Sequence, residues 1–206
     1  MKKLLLAVVV LALVFSVNNL SMAAGKMSLS VGADVLLPMG TFGDAFSTGF
    51  GGSVRGQYDF TPMASAGLTI GYFTWSGKDQ TIEGTTFTGP NFKGVPVRVF
   101  GKYYFMPEGE KLRVYGMVEL GLFFGSTGDV TVANPFAGFP GQPATVTVAG
   151  QSESDFNYAP GVGLELPLGG GNTKLDISVR YDGIATSGNS SGSIGARVGV
   201  NFGLGN

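Results

Sequence analysis

The sequence contains no cysteine and no histidine. Without cysteine there is no disulfide framework, no thiolate metal site, no thiol redox motif and no lipoprotein anchor. Without either residue, zinc loses its usual nitrogen and sulfur ligands, and hydrolytic machinery built on a histidine base cannot be assembled. Charge is scarce as well. Asp, Glu, Lys and Arg make up 13% of the chain, about half of what a soluble domain carries. Positive charge is in no excess, 13 basic against 14 acidic residues, so the footprint of a nucleic-acid binder is missing. With 44% hydrophobic residues and a net charge of -1, the composition is also not that of a disordered chain. After residue 23 no stretch approaches the roughly 18 apolar residues of a membrane helix.

What the chain has in abundance is glycine, 35 of 206 residues, more than double the usual share of about 7%. Aromatics reach 12%. At the N-terminus Lys2 and Lys3 precede an apolar run from Leu4 to Val17, broken only by Ser16, and Ser21-Met22-Ala23 follows with small residues at the two positions a signal peptidase reads. Residues 1–23 therefore read as a cleaved signal peptide and 24–206 as one domain.

The rest of the chain alternates with period two, the mark of strands with two different faces. Leu29, Val31, Ala33 and Val35 alternate with Ser28, Ser30, Gly32 and Asp34. The same pattern returns over 50–60, 65–72, 94–105, 112–124, 156–166, 175–182 and 193–202, eight runs in all, with no convincing helical period. The connections alternate too. Runs two and three, four and five, and six and seven are joined by short turns. Runs one and two, three and four, and five and six are joined by long loops, and the link around 183–191 is intermediate. Short turns at one end and long loops at the other predict an all-β, eight-stranded antiparallel up-and-down transmembrane β-barrel, with both termini on the periplasmic side. A soluble barrel would turn its charged face to water. The polar face here carries few charges and many Gly and Ser, which suits a crowded lumen instead. Tyr58, Phe60, Tyr103, Phe105, Phe124, Phe156, Tyr158, Tyr181 and Phe202 lie near run ends, where interfacial girdles form.

These segments give the chain its resemblance to a family. Gly49-Phe50-Gly51-Gly52-Ser53-Val54-Arg55-Gly56-Gln57-Tyr58, Asn91-Phe92-Lys93-Gly94-Val95-Pro96-Val97, Gly101-Lys102-Tyr103-Tyr104-Phe105 and the closing Gly195–Phe202 stretch resemble the small outer-membrane β-barrels that include OmpX and the OmpA transmembrane domain. The resemblance covers about residues 25–204 and implies the outer membrane of a Gram-negative-type (diderm) bacterium. It also implies that Phe202 serves as the aromatic signal read by the barrel-insertion machinery, although Gly-Leu-Gly-Asn follows it here. The chain stops just after the eighth run, so the peptidoglycan-binding domain that follows the OmpA barrel is not expected.

The polar face places Asp34, Arg55, Arg98, Lys102, Glu119, Glu165, Asp176, Arg180, Asp182 and Arg197 inward. The short turn between runs four and five brings Arg98 level with Glu119 to within a residue or two. The resemblance implies an ion-pair network filling the lumen, and buried charges must in any case be paired. Two readings stay open: a plug that seals the barrel, or a narrow charged pore or hydrophobic-solute channel. Inward glycines are expected to make room for Arg and Tyr rather than to bind nucleotide, since no G-x-G-x-x-G precedes a helix. Pro96 and Pro160 are expected to mark bulges or ragged strand starts.

In the longest connection, Val130–Ala133 mirrors Ala144–Ala149 and extends the hairpin past the membrane. Its tip holds Asn134, Pro135, Phe136, Phe139, Pro140 and Pro143, a stiff aromatic surface suited to a partner. Loop 126–150 is thus the expected contact for a surface ligand, beside outer-membrane lipid and lipopolysaccharide. Glu153 and Asp155 supply oxygens of the kind Ca²⁺ or Mg²⁺ takes, but without the spacing of a calcium loop; a solvated acidic rim, with no cofactor and no metal, is the expectation. An enzyme is not expected, because barrel enzymes resembling this fold use a histidine. The expected role is structural and surface-interacting.

Overall fold

The alternating runs become the staves of a closed barrel. The computed structural model describes residues 25–82, 85–87, 89–133, 139, 141, 143–169, 172–185 and 190–204. In chain order the elements are β1 (Lys26–Met39), α1 (Gly40–Ala45), β2 (Gly49–Thr61), β3 (Ala64–Trp75), β4 (Gln80–Ile82), β5 (Thr85–Phe87), β6 (Phe92–Tyr104), β7 (Arg113–Thr127), β8 (Val130–Ala133), β9 (Thr145–Val148), β10 (Ser152–Pro167), β11 (Thr173–Ala185) and β12 (Ser190–Gly203). Eight of the strands close antiparallel in the order β1-β12-β11-β10-β7-β6-β3-β2. The first and last meet with Asp34 opposite Arg197, so the barrel wall has no open edge. The short strands β4–β5 and β8–β9 form two separate hairpins in the loops.

The polarity of the two faces is that of a membrane protein. Val31, Ile70, Val118 and Val198 point outward, each about half exposed, while Ser30, Arg55, Thr69, Arg98, Glu119 and Arg197 are buried inside. An apolar exterior around a charged interior has a stable home only in lipid, where a closed sheet pairs its backbone polar groups within the wall. Exposed aromatics mark both rims: Phe50, Tyr72, Phe124 and Phe156 near one end, Phe60, Tyr103, Phe105 and Phe202 near the other. Phe50 and Phe60, at opposite ends of β2, are about 33 Å apart along the strand, or about 25 Å along the axis of a strand tilted by ~40°. That matches the height of an outer-membrane hydrocarbon band. Tyr158 and Tyr181 meet on the outer face at 6.1 Å between ring centroids.

Several details depart from the sequence expectation. The six-residue α1 occupies the first long loop, where alternation gave no sign of a helix. The last connection is only residues 186–189, because β11 and β12 keep pairing through Gly183↔Gly192 to Ala185↔Ser190; backbone bonds carry the hairpin on after side-chain alternation ends. Pro96 and Pro160 are neither bulges nor strand starts. Each lies mid-strand and in register on one side, Pro96 opposite Phe123 and Pro160 opposite Val118. On the other side the ladder skips from Ile70↔Val97 to Phe73↔Gly94 and from Tyr158↔Gly183 to Gly161↔Arg180, without a change of register. Each proline removes an N–H that the wall tolerates. A register shift does occur between Asp59 and Thr61, at the β2–β3 turn.

Candidate functional site

Inward side chains fill the barrel in two layers. In the charged layer, Glu119 on β7 is 0% exposed. Its Oε1 accepts from Arg55 Nη2 at 2.9 Å and its Oε2 from Arg98 Nη1 at 2.9 Å, with Thr69 Oγ1 donating at 3.3 Å. Arg98 reaches on to Asp182 at 2.7 Å, Asp182 to Arg180 at 2.9 Å, and Arg180 to Asp34 at 2.8 Å. The Asp182 contacts are ion pairs without an aligned N–H, since neither of its oxygens accepts a hydrogen bond from the protein. Ser53 Oγ donates to Asp34 at 2.6 Å.

Toward the short turns, Asp176 gathers Lys102 at 3.0 Å, Arg197 at 3.2 Å and Arg55 at 3.6 Å. Lys102 also holds Glu165 at 3.2 Å and stands 4.2 Å from the centroid of the Tyr115 ring. Tyr104 donates to Glu165 at 2.7 Å and Tyr115 to Asp176 at 3.1 Å. All ten residues read from the sequence as inward charges therefore belong to one connected set of ion pairs. Arg98 and Glu119 are two positions out of level, with Arg98 opposite Gly121 and Glu119 opposite Phe100, and their long side chains close the gap.

The sequence reading left out Arg113, although it lies on the polar side of its run. It stands 3.9 Å from Glu165, donates to the Pro62 carbonyl at 2.7 Å and lies over the Tyr104 ring at 3.7 Å. Lys174 adds a third cation at 3.5 Å from Glu165, after Lys102 and Arg113. The glycines do make room: a Cβ on Gly32 or Gly199 would stand 2.6 or 2.5 Å from the Arg197 guanidinium. Arg197 uses that space to donate to Ser30 and Ser53, both at 2.9 Å.

Above the charges, on the long-loop side, the lumen turns apolar. Leu36, Phe73, Trp75, Phe123 and Ile184 are buried together, with Phe92 and the α1-side residues Phe42 and Phe46 packed on them. Phe42 meets Trp75 at 5.6 Å and Phe92 at 5.8 Å, and Phe92 stacks on Phe123 at 5.8 Å. Lys78 holds the first loop down, its N–H donating to the Ala45 carbonyl at 2.9 Å and its Nζ to the Gly43 carbonyl at 2.5 Å. The doubled aromatics Tyr72-Phe73 and Phe123-Phe124 were the available sign of this layer, since one member of each pair must face inward.

Outside the lumen, β8 and β9 continue the β7–β10 ladder in one register, Ser126↔Ser152 leading to Val130↔Val148 and Ala133↔Thr145. Thr127 donates to Gln151 between them at 2.9 Å. At the tip Phe139 is 65% exposed and Pro143 is exposed; Asn134, Pro135, Phe136 and Pro140 lie outside the described residues. Phe202 points outward on β12, and the pairing continues past it as Leu204 donates to the Met27 carbonyl at 2.7 Å. At the short-turn rim Lys26 donates to Glu108 at 2.8 Å, which holds the Glu108 carboxyl below its ordinary pKa. Among the described residues no group of three or more His, Cys, Asp or Glu is arranged to hold a metal ion; Glu153 is exposed and Asp155 half-buried at the outer rim.

A closed eight-stranded barrel, apolar outside, ringed by aromatics and filled with charge, defines a small transmembrane β-barrel. The chain belongs to the outer membrane protein beta-barrel domain family, whose model matches residues 7–202. It is an outer-membrane protein of a Gram-negative-type bacterium. Its fold is similar to that of Neisserial surface protein A, at 15% identity and a TM-score of 0.57, over 85% of this chain and 96% of that one. It is similar to OprG from Pseudomonas aeruginosa, at 12% identity and a TM-score of 0.56, over 89% and 97% of the two chains. A major outer membrane protein from Thermus thermophilus is similar at 16% identity and a TM-score of 0.59, over 88% and 100%. No curated protein matches in sequence.

Proposed function

We propose that this protein is a sealed barrel that serves the outer membrane structurally and presents its outer loops, foremost residues 126–150, for contact at the cell surface. The observation that carries this reading is the double closure of the lumen. Glu119 is buried between two arginines, and the Trp75–Phe123 layer lies above it under Phe42 and Phe46. An ion crossing the barrel would have to break charge-assisted bonds and then part an apolar layer, each unfavourable on its own.

Residues 1–23 act in export as a cleaved signal, and Phe202 in recognition by the insertion machinery. Outer-membrane lipid and lipopolysaccharide are the surroundings of the wall and rim. No catalytic role belongs to this reading: the chain offers no histidine base, and the carboxylates of Asp34, Glu119, Glu165, Asp176 and Asp182 are each engaged with a cation.

The alternative, a small pore or hydrophobic-solute channel, draws support from one feature. The wall ladder is interrupted beside Pro96 and Pro160, the former next to the apolar layer. Flux of small solutes into vesicles carrying the refolded protein decides between the two. Vesicles no leakier than protein-free ones support the seal. Uptake of apolar solutes that is lost on replacing Pro96 would support the channel instead.

A further inference from the structure

On the outer face of the described wall one side chain carries charge. Parity along each strand separates the residues that face lipid from those that fill the lumen. Every Asp and Glu of the eight wall strands, and every Lys and Arg but one, has lumen parity. The exception is Lys93 on β6. Its neighbour Phe92 packs into the lumen, and Lys93 is exposed on the opposite face, in step with outward Val97. Among the described residues no carboxylate pairs with it. Its depth is equally specific. Register sets Lys93 between Thr74 on β3 and Ser126 on β7, with Ser152 on β10 next in the row. Thr74 and Ser126 are half-buried and Ser152 is exposed. Two residues nearer the membrane centre, the same face carries exposed Tyr72 and Phe124 of the outer aromatic girdle. Lys93 thus stands one row beyond that girdle on the long-loop side, at the level of the outer-leaflet headgroups.

We infer that Lys93, Thr74 and Ser126, with Ser152 at the end of the row, form a binding site for a phosphorylated glycolipid of the outer leaflet. The inference rests on the reading that lipopolysaccharide surrounds the outer rim, and it names the residues that hold it. Lys93 supplies a point charge for a phosphate. Its stem lies along the apolar wall while its ammonium rises to the headgroups. The flanking hydroxyls donate to phosphate oxygens or exchange hydrogen bonds with sugar hydroxyls. An ammonium without a carboxylate selects an anion. Strands lie about 4.8 Å apart, so the row from Thr74 to Ser152 spans about 14 Å. That is longer than one phosphate needs, and it favours a phosphorylated sugar over free phosphate or a phospholipid headgroup.

The test is native mass spectrometry of the refolded protein in nonionic detergent, titrated with lipid A, a disaccharide lipid carrying two phosphates. Lys93→Gln is expected to bind it about tenfold more weakly than wild type, and Lys93→Arg to keep most of the affinity. Lipid A stripped of its phosphates should bind wild type as weakly as intact lipid A binds Lys93→Gln. Phosphatidylglycerol should bind wild type more weakly than lipid A does, and excess inorganic phosphate should not displace lipid A. Unchanged gel mobility before boiling shows that each variant is folded. Lipid A held equally by wild type and Lys93→Gln would overturn the site yet leave lipopolysaccharide at the rim. Equal binding of phosphatidylglycerol, or displacement by inorganic phosphate, would overturn the glycolipid assignment. Failure of wild type to retain lipid A would overturn the site and count against the reading of the rim as well.

Discussion

Removing the Glu119 carboxylate should weaken the barrel by an amount that can be worked from its partners. Glu119 receives two arginine bonds, each 2.9 Å long, in a fully buried setting. Breaking a buried ion pair from one side costs about 3–5 kcal/mol, because a charge is left uncompensated. Here both arginines keep a second carboxylate, Arg98 with Asp182 at 2.7 Å and Arg55 with Asp176 at 3.6 Å. The loss therefore falls at the low end, about 3 kcal/mol for Glu119→Ala. Glu119→Gln keeps the oxygen and the shape and should lose about 1.5–3 kcal/mol, the scale of a bond to a charged group. Urea unfolding in lipid vesicles measures both, with Trp75 as reporter, since it is the single tryptophan and is buried in the neighbouring layer. An alanine variant within about 0.5 kcal/mol of wild type, the range of ordinary surface substitutions, would refute the claim that Glu119 anchors the lumen.

Three other outcomes are expected. Gly121→Ala should cost about 1–3 kcal/mol in the same assay, because a Cβ there would stand 2.0 Å from the Val97 carbonyl oxygen on β6, beside Arg98. The double variant Phe42→Ala/Phe46→Ala should expose Trp75 to aqueous quenchers yet remain non-conducting, because the charged layer below still closes the lumen; conductance in this variant would show that the aromatic layer alone forms the seal. Glu108 is held below its ordinary value by the Lys26 ammonium. A depressed carboxylate adds stability that is present above its unfolded pKa and is lost as pH falls through the folded one. Acidification below the ordinary carboxylate value of about 4.5 should therefore remove a small, salt-sensitive increment, and Lys26→Met should abolish that part of the pH dependence in unfolding measured across the acid range.

The wall was legible because a strand between lipid and a filled lumen must alternate, and the short and long connections orient it. The ten inward charges were legible for the same reason: parity along a strand decides the face. The pairing within the network was not, because it depends on strand stagger around the barrel. Arg55 on β2 and Glu119 on β7 meet across the lumen, not along a ladder. The aromatic layer was hidden because both faces are apolar there, which erases the alternation. Pro96 was misread because a missing N–H weakens one side of a strand without moving its register. The outer hairpin was visible because Val130–Ala133 and Thr145–Val148 repeat the same β-branched pattern, and α1 was invisible because six residues give a helical period too little room to show.

A closed lumen passes no current, and single-channel recording of the refolded chain in a planar bilayer reads that out. The wild type should show no resolvable openings over a wide voltage range, with current emerging only when the charged and aromatic layers are opened together, as in Glu119→Ala combined with Phe42→Ala and Phe46→Ala. Steady unitary openings in the wild-type protein would contradict it and make the paired charges the lining of a pore.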